Sequence, residues 1–347
     1  MPAEGVGLDR LHVCRYMGGK SNLLSFVVPA IMDLAAPGEP VLELMAGTHA
    51  VAYALKRHHP LLVNDAETYS HNLGLALIEN NAVRVSAAAA AELAKAGPTP
   101  PDGYFTRTYA DTYFSAAQCR ELDALRAGIG RCRDVYRRAL YLTALIYAMC
   151  YVQSSPGHFA QFLPPDHSRV GPLRALSLTR AFIGKCAELE SLVLSPYVNR
   201  SFGLGWRDLL GGAVAPFGEV KLVYIDPPYS GEQYSRFYHL LNTVVLNDEP
   251  EVEHLARYRT DRFKSAFCYP RRVRGEFRDL FQEVANACPQ AAVVLSYGSR
   301  GLLGIGELVD LAREVYPRVE VKKRAYTHSS LGKGADPVTE YLLVAKR

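Results

Sequence analysis

The sequence Asp-Pro-Pro-Tyr at positions 226–229 is the clearest candidate for chemistry in this chain. It follows an apolar run that predicts a β-strand, and ligands of open α/β sheets bind beyond the carboxyl ends of strands. Two prolines fix the backbone and donate no N–H group, so the carbonyl between Asp226 and Pro228 is held rigidly. That carbonyl and the Asp226 carboxylate could accept both hydrogens of an NH₂ group, while Tyr229 offers a flat face to a planar ring. These contacts would draw electron density towards a poorly nucleophilic ring amine and aim its lone pair at an electrophile.

The segment 42–49, Leu-Glu-Leu-Met-Ala-Gly-Thr-His, predicts a strand, a turn that contains glycine, and a helix. Such a turn brings backbone close to a ligand and directs a helix N-terminus at it. Asp65 ends the next predicted strand, where a carboxylate can bind both hydroxyls of a ribose. The dinucleotide fingerprint G-x-G-x-x-G is absent, so NAD and FAD are disfavoured and a smaller nucleoside ligand stays open. Taken alone, a structural turn explains this segment equally well.

The third candidate is segment 15–20, Arg-Tyr-Met-Gly-Gly-Lys, which precedes an apolar run that predicts a helix. A Gly-Gly pair before a helix could wrap around a ligand, and Lys20 could bind a carboxylate. The spacing is not that of a P-loop, G-x-x-x-x-G-K. Without the other two segments, a plain turn would be the better explanation.

The elements that must position these segments follow from hydrophobic periodicity. Apolar runs that predict strands alternate with helical patterns, which indicates βαβ units and a mostly parallel sheet. The predicted strands are residues 40–45, 61–65, 221–226, 291–296 and 338–345. The predicted helices are residues 49–57, 68–79, 87–96, 115–126, 131–151, 179–192 and 302–315. Strand patterns are scarce from about 81 to 195, so we interpret that stretch as a mainly helical insertion within one α/β domain.

The composition is that of a soluble globular protein of 347 residues, with 49% hydrophobic and 21% charged residues and a net charge of +4. It excludes collagen-like, coiled-coil and disordered chains. No apolar run reaches the roughly 20 residues that cross a bilayer, and no secretory signal is visible, so we expect no membrane partner. The seven scattered cysteines form no C-x-x-C pair. They predict reduced thiols in a cytoplasmic protein and no metal site.

Together, the three candidate segments resemble the alpha group of S-adenosylmethionine-dependent amino methyltransferases that act on DNA, the DNA adenine methyltransferase family. The resemblance covers nearly the whole chain and rests on the order of the parts. Gly-Gly-Lys at 18–20 comes first, then the loop at 42–49, a long insertion, and Asp-Pro-Pro-Tyr at 226–229.

The resemblance implies a Rossmann-like α/β methyltransferase fold, whose mostly parallel twisted sheet has an antiparallel strand near the C-terminus. Residues 1–80 and 196–347 would form a catalytic domain, and residues 81–195 a helical target-recognition insertion. The implied cofactor is S-adenosyl-L-methionine. The implied partner is double-stranded DNA, and association with a cognate restriction endonuclease stays open.

The same resemblance assigns roles to individual residues. Asp226 and Tyr229 would hold the target base, and the implied catalytic residues are Asp226, Pro227, Pro228 and Tyr229. Lys20 would lie near the methionine carboxylate of the cofactor, Asp65 at its ribose, and Asp208 at its adenine amine. The residues implied to bind the cofactor are Tyr16, Gly19, Lys20, Glu43, Ala46, Gly47, Thr48, Asp65, Asp208 and Asp226. The sequence departs from the family at Thr48-His49, where a second glycine is frequent.

Basic and aromatic side chains are the candidates for the DNA-binding surface. Eight basic residues against two acids lie between positions 254 and 278, although such a cluster can also be an ordinary solvated surface. In the insertion, Gln161 could pair with adenine and Arg169 with guanine. The full set is Arg15, His158, Gln161, Arg169, Tyr234, Arg236, Lys264, Arg271 and Arg272. His239 is a further candidate, and for any one of these residues a surface or core role is an open alternative.

The expected reaction is transfer of a methyl group to the exocyclic N6 amine of an adenine flipped out of duplex DNA. The same mechanism could act on N4 of cytosine. Methylation of RNA or of a protein glutamine is a second alternative, and a non-catalytic nucleic-acid-binding protein that kept the fold is a third. Because no cysteine lies where C5-cytosine chemistry would need it, that reaction is not expected.

Overall fold

The computed structural model describes residues 19–95, 103–212, 219–326 and 338–347. Arg15 and Tyr16, expected at the DNA and the cofactor, lie outside the described residues. The strands are β1 (Val41–Glu43), β2 (Leu61–Asn64), β3 (Arg200–Phe202), β4 (Leu222–Ile225), β5 (Val252–Glu253), β6 (Tyr258–Arg259), β7 (Ala292–Gly298), β8 (Arg318–Tyr326) and β9 (Val338–Lys346). The helices are α1 (Leu24–Met32), α2 (Ala50–Leu55), α3 (Thr68–Gly74), α4 (Ala87–Lys95), α5 (Tyr104–Tyr109), α6 (Ala116–Gly130), α7 (Val135–Val152), α8 (Val170–Arg174), α9 (Leu178–Leu189), α10 (Trp206–Gly211), α11 (Tyr234–Leu246), α12 (Val273–Ala287) and α13 (Ile305–Arg313).

Seven strands form one sheet in the order β3-β2-β1-β4-β7-β9-β8, and β5 and β6 form a separate hairpin. The first five strands of the sheet are parallel, with Leu42 of β1 opposite both Leu62 of β2 and Val223 of β4. Strand β9 runs antiparallel to both β7 and β8. The predicted fold class, a mostly parallel methyltransferase-type sheet with an antiparallel strand near the C-terminus, is confirmed.

The sheet is covered on both faces, which explains why β1 and β4 are buried at every position and are apolar except at Glu43. Val41 and Tyr224 face one layer, where they share a core with α1, α2, α3, α7 and α11. Leu42 and Val223 face the other layer, formed by α10, α12 and α13. The carboxyl ends of β1, β2 and β4 therefore meet at one edge, between two packed layers.

Between β2 and β3, the regular elements in described residues 81–95 and 103–195 are the helices α4 to α9. This agrees with the mainly helical stretch that the sequence predicts there. Helix α7 is buried almost throughout and packs against α3 and α9. Its side chains belong to the same cluster as those of one sheet face. The helical stretch therefore shares a core with the sheet, and the division at 81 and 195 stays a prediction.

The ends of the predicted helices differ from the structure where a cap decides them. Helix α6 begins at Ala116 because Ser115 and Gln118 form a reciprocal capping box. Helix α7 begins at Val135, later than predicted, because the Asp134 side chain caps it. Helix α2 begins after His49, whose φ of 59° is left-handed and cannot continue a helix.

Several elements of the structure were not predicted, and β8, β3 and α12 show why. Strand β8 is exposed at almost every position and carries Arg318, Lys322, Lys323 and Arg324, so it lacks the apolar alternation of a half-buried strand. Strand β3 has three residues and no fully buried side chain. Helix α12 runs through the basic segment and was hidden by its charges, although Phe277 and Phe281 are buried on its inner face.

Lys56 connects the two ends of the helical stretch by hydrogen bonds. Its side chain is fully buried, and its Nζ donates to the carbonyls of Leu77 at 2.7 Å, Asn80 at 3.0 Å and Val193 at 3.1 Å. These carbonyls follow helix α3 and precede β3. One side chain thus satisfies acceptors at both junctions of the helices with the sheet.

Replacing Lys56 with Met should lower the free energy of unfolding by about 2–4 kcal/mol, because several buried carbonyls lose their donor at once. Urea unfolding monitored by circular dichroism measures this. The matched control is Lys95→Met, which removes an exposed ammonium paired with Glu92 and should cost no more than about 0.5 kcal/mol. Equal losses in the two variants would contradict the assigned role of Lys56.

Candidate active site

A cavity of about 840 Å³, partly open to solvent, lies at the carboxyl ends of β1, β2 and β4. This is where an open α/β sheet binds its ligands. The lining residues come from five parts of the chain. They are Leu44, Met45, Gly47, Asn64, Asp65, Ala66, Glu67, Leu204, Trp206, Asp226, Pro227, Pro228, Tyr229, Gln233, Tyr234, Ser235, Phe263, Ser265 and Phe267.

Asp226 lines this cavity and also belongs to a charge cluster with Lys20 and Glu340, whose side chains are buried. Its Oδ1 is 2.8 Å from Nζ of Lys20, and the same Nζ is 3.4 Å from Oε1 of Glu340. The Ser296 hydroxyl donates a hydrogen bond to Oε1 of Glu340. One ammonium from the N-terminal part of the chain therefore joins a carboxylate at the end of β4 to one in β9.

The pKa values of the pair follow from burial and mutual attraction. Burial raises the pKa of Asp226 to about 6, although the Lys20 ammonium opposes this. Burial also disfavours the ammonium of Lys20, but Asp226 and Glu340 together hold the pKa of Lys20 well above its usual value. Asp226 is therefore an ionised acceptor at neutral pH, with a proton affinity higher than that of an exposed aspartate.

The rest of the Asp-Pro-Pro-Tyr motif is held from behind. Gly298 of β7 leaves room for the Tyr229 ring, because a Cβ at that position would lie 3.1 Å from Cε2 of Tyr229. The ring of Tyr297 packs at 5.4 Å from that of Tyr229, and the Tyr229 carbonyl accepts from the backbone N–H of Leu302. Pro227 and Pro228 line the cavity together with Tyr229, as predicted.

The turn after β1 is tied to the end of β2. Gly47 has a φ of 53°, and its N–H donates to Oδ2 of Asp65 at 2.8 Å. The other oxygen of Asp65 accepts from the N–H of Glu67 at 2.8 Å. Gly47 and Asp65 both line the cavity, so the structure brings the two predicted cofactor segments together.

His49 explains the position at which the sequence departs from the family. It has a φ of 59°, which favours glycine, and its ring is buried with Nε2 bonded to the Ser70 carbonyl at 2.8 Å. Burial lowers the pKa of His49 to about 4, so the ring is neutral. The hydrogen bond anchors the side chain in a backbone conformation that usually selects glycine.

Other predicted cofactor residues lie behind or beside the cavity rather than in its lining. Glu43 is buried, its Oε2 accepts from the N–H of Ala52 at 3.0 Å, and burial raises its pKa well above the usual value. Ala46 and Thr48 are buried in the turn. Asp208 is exposed in the first turn of α10. Gly19 precedes Lys20 at the edge of the described residues.

Sequence reasoning missed several lining residues. Glu67 lies two positions beyond the predicted ribose acid Asp65, and burial raises its pKa to about 7. Trp206 and Phe263 add aromatic surface, and the Phe263 side chain is 48% exposed at the cavity. An acid just after the second strand was a readable signal for Glu67. Phe263 had none, because it lies in an irregular segment far along the chain.

The predicted DNA-binding residues of the insertion and of α11 occupy different surfaces. Tyr234 lines the cavity. Arg236 is half-buried and pairs with Glu232 at 2.7 Å. His158 is half-buried with its ring 4.9 Å from that of Phe237, and Gln161 and Arg169 are exposed. His239 is fully buried and bonds the Phe159 carbonyl through Nε2 at 2.9 Å, so it fixes a loop instead of facing DNA.

Much of the basic segment is neutralised within the protein. Arg259 is buried between Asp248 and Asp261, and Arg262 pairs with Glu253. Within the described ranges, no ion pair holds the three residues predicted at DNA. These are Lys264, Arg271 and Arg272, all exposed; the guanidinium of Arg272 lies over the Tyr269 ring.

Comparison with protein families settles the class of this chain. A family model described as D12 class N6 adenine-specific DNA methyltransferase matches residues 16–163 and 215–293, which is more than half of the chain. The chain belongs to this family. Its Asp-Pro-Pro-Tyr motif and most residues that line its cavity fall on the matched ranges, whereas Leu204 and Trp206 lie between them.

Individual relatives support the same class. "Modification methylase LlaI" from Lactococcus lactis subsp. lactis is 28% identical over 91% of this chain and 51% of its own length. "Modification methylase StsI" from Streptococcus sanguinis is 26% identical over 90% and 48%. "Type II methyltransferase M.FokI" from Planomicrobium okeanokoites is 27% identical over 83% and 45%. The chain thus spans about half the length of these relatives.

Among solved structures, an rRNA methyltransferase, aviRa from Streptomyces viridochromogenes, aligns with 99% of this chain and 90% of its own. The identity is 12% and the TM-score 0.31, so this likeness adds nothing to the assignment. In the part of the chain that the structure describes, no helix is long and apolar enough to cross a membrane, and no cluster of three metal-binding side chains occurs.

Replacing Lys20 with Met should destabilise the fold by about 3–5 kcal/mol, because two buried carboxylates lose their shared cation. The loss should be larger at pH 8 than at pH 5. Without the ammonium, burial holds the pKa of Asp226 above that of the unfolded chain, so stability present at low pH is lost as the pH rises.

Urea unfolding at both pH values tests this expectation. Lys322→Met is the control, since Lys322 is exposed and lies 3.5 Å from a single acid, Asp33. Losses that are small, or that grow towards low pH, would contradict the charge cluster.

Proposed function

We propose that this protein transfers a methyl group to the exocyclic N6 amine of an adenine that has been flipped out of double-stranded DNA. The observation that carries the proposal is the rigid Asp-Pro-Pro-Tyr turn, with Asp226 against Lys20, in a cavity whose other wall is the turn at Gly47. Membership of the D12 class supports adenine as the target. Because the chain spans about half the length of these relatives, activity, substrate and partners are all part of this proposal.

The cavity suits S-adenosyl-L-methionine, which supplies a methyl group on a positively charged sulfur. Asp65, Glu67 and Asp226 give the lining an acidic character that favours a cation. Gly47 and Asp65 would hold the ribose side, and Trp206 offers an aromatic face for the adenine ring. Asp208 is exposed in the first turn of α10 and does not line the cavity, so its role at the adenine amine stays a prediction.

The target base would enter beside Tyr229. Its amine would donate hydrogen bonds to the Asp226 carboxylate and to the rigid carbonyl that precedes Pro228, while the Tyr229 ring stacks on the base. Phe263 and Tyr234 line the same space and can enclose the ring. Asp226 need not act as a formal base, because the proton can leave after the methyl group has been accepted. Positioning and charge would supply most of the rate.

A base inside the duplex cannot reach this cavity, so we infer base flipping, which costs a few kcal/mol that stacking and hydrogen bonds offset. The helices α4 to α9 are the proposed target-recognition part, within 81–195, and residues 1–80 and 196–347 the catalytic part. The relatives named as modification methylases support a role beside a cognate restriction endonuclease.

N4 methylation of cytosine by the same geometry is the nearest alternative, because both targets are amines on planar rings. The family description favours adenine over cytosine. The family description names DNA, so no observation favours RNA or a protein glutamine as the substrate. A purely binding role is disfavoured because Lys20, Asp65, Asp226 and Tyr229 are all present at the site.

Asp226→Ala should abolish methyl transfer while leaving cofactor affinity within about threefold of wild type, because the carboxylate acts on the target amine. Tritium transfer from labelled S-adenosyl-L-methionine to plasmid DNA measures activity, and calorimetry measures cofactor binding. Asp208→Ala is an informative comparison, since it should weaken cofactor binding instead. Loss of both properties in Asp226→Ala would reduce Asp226 to a structural role.

Mass spectrometry of nucleosides from treated DNA should reveal N6-methyladenine as the product. N4-methylcytosine would support the alternative target. Absence of any labelled DNA under conditions where the cofactor binds would favour the binding protein and overturn the proposed reaction.

The triple variant of Lys264, Arg271 and Arg272 to Gln should weaken DNA binding and reduce the slope of log affinity against log salt by up to about 3. Fluorescence anisotropy of a labelled duplex at several salt concentrations gives both quantities. The control is Arg274→Gln with Arg278→Gln, since these residues pair with Glu307 and Glu314 on the protein itself. An unchanged slope in the triple variant would remove this surface from the DNA-binding site.

A further inference from the structure

Glu340 is an acid in an unusual place, and the reaction as described above does not use it. It is the third residue of β9 and lies opposite Gly298 of β7 and Arg324 of β8. Its side chain is fully buried. Its Oε1 accepts from Ser296 and faces Lys20, but its Oε2 has no hydrogen-bond partner among the described residues. A buried carboxylate with an unmet oxygen is costly, so its retention calls for an explanation.

The cluster contains one cation for two carboxylates. Nζ of Lys20 lies 2.8 Å from Asp226 and 3.4 Å from Glu340, so the ammonium is shared unequally. Among the described residues, the other titratable groups that face Asp226, Lys20 or Glu340 are acids and phenols. They are Glu43 of β1, Asp65 after β2, Tyr224 of β4, Tyr229, Tyr234 of α11 and Tyr326 of β8. One further cation, Arg300, acts on the phenol of Tyr326.

We propose that Glu340 is a positioning residue for methyl transfer, which acts through Lys20 to keep the Asp226 carboxylate a strong hydrogen-bond acceptor. The proposal rests on the proposed function. If Glu340 were neutral, the Lys20 ammonium would be drawn more strongly to Asp226 and would withdraw charge from the oxygen that must bind the target amine. Ser296 fixes the Glu340 carboxylate at the distance from which it can share the cation.

Glu340 also solves the problem of the departing proton. When the amine nitrogen bonds to the methyl carbon, the carbon–sulfur bond breaks with its electron pair left on sulfur, and the nitrogen becomes positive until it loses a proton. That proton can pass to Asp226, which becomes a neutral carboxylic acid. Lys20 then still has Glu340 as its counter-ion, so no unpaired ammonium is left in the protein interior.

The direction of the electrostatic coupling agrees with this role. After burial and Lys20, the charge of Glu340 is a further contributor to the pKa of Asp226, which it raises. Removing that charge should lower the pKa of Asp226. A variant of Glu340 should therefore change the pH dependence of the reaction, and a residue that only supports packing would not.

The test measures the single-turnover rate of methyl transfer to duplex DNA between pH 4.5 and 8.5 for the wild type, Glu340→Gln and Glu320→Gln. The wild-type rate should fall as the pH drops through about 6, where Asp226 becomes protonated. In Glu340→Gln, the midpoint should move down by about half to one pH unit and the plateau rate should fall about tenfold. Glu320→Gln makes the same chemical change on exposed strand β8 and should match the wild type.

A slower reaction with an unmoved midpoint would make Glu340 a structural residue, and a midpoint moved to higher pH would overturn the proposal as well. Ser296→Ala is the second variant, in case Glu340→Gln does not fold. It leaves the Glu340 charge less satisfied and more strongly drawn to Lys20, so the midpoint should move up. A wild-type midpoint in Ser296→Ala would also count against the proposal.

A readout without activity separates this inference from the proposed function. The Asp226 carboxyl resonance of ¹³C-aspartate-labelled protein, assigned by its absence in Asp226→Asn, can be titrated with neither cofactor nor DNA. A lower titration midpoint in Glu340→Gln would support the coupling even if the wild type methylates no DNA. Identical midpoints would overturn the coupling even if methylation is observed.

Discussion

The arrangement of this protein depends on one buried ammonium that must satisfy two carboxylates. Lys20 belongs to the start of the described chain, Asp226 to the end of β4 and Glu340 to the last strand. Charges removed from water are tolerated only when they are closely paired, so the three segments are constrained to meet at one point. The seven-stranded sheet makes this possible, because β4, β7 and β9 are neighbours and β9 runs in the opposite direction.

The cavity takes its chemical character from the same constraint. Strand β9 starts where β7 ends, so Glu340 reaches the carboxyl edge of the sheet from the opposite chain direction. The Asp226 side chain is 21% exposed, which is enough to contact a ligand, and its carboxylate is held by Lys20. Acidic groups and aromatic rings line the same cavity and give a site for a cation beside a planar ring.

The helical stretch shares its hydrophobic core with the sheet. Helix α7 packs into the same core as the sheet. The loop at Phe159 is held by the buried His239 of α11, the helix that follows the turn at 226–229. Lys56 closes the junction from the other side. Movements of these helices would therefore be transmitted to the elements that line the cavity.

The sequence by itself determined the order of strands and helices and the motifs that carry chemistry. Apolar runs predicted β1, β2, β4, β7 and β9, because strands buried on both faces are mostly apolar, with buried polar exceptions such as Glu43, Ser296 and Glu340. The family resemblance, and with it the class of enzyme, followed from local motifs such as Asp226–Tyr229, whose proline stiffness is a property of the residues themselves.

Only the tertiary structure decided which charges are shared and which are free. Glu340 and Phe263 have no local pattern that marks them, since their roles depend on neighbours more than 30 residues away. Likewise, the eight basic residues between 254 and 278 look equivalent in sequence, but folding pairs Arg259, Arg262, Arg274 and Arg278 with acids. Electrostatic interactions depend on distance and burial, which the order of residues does not specify.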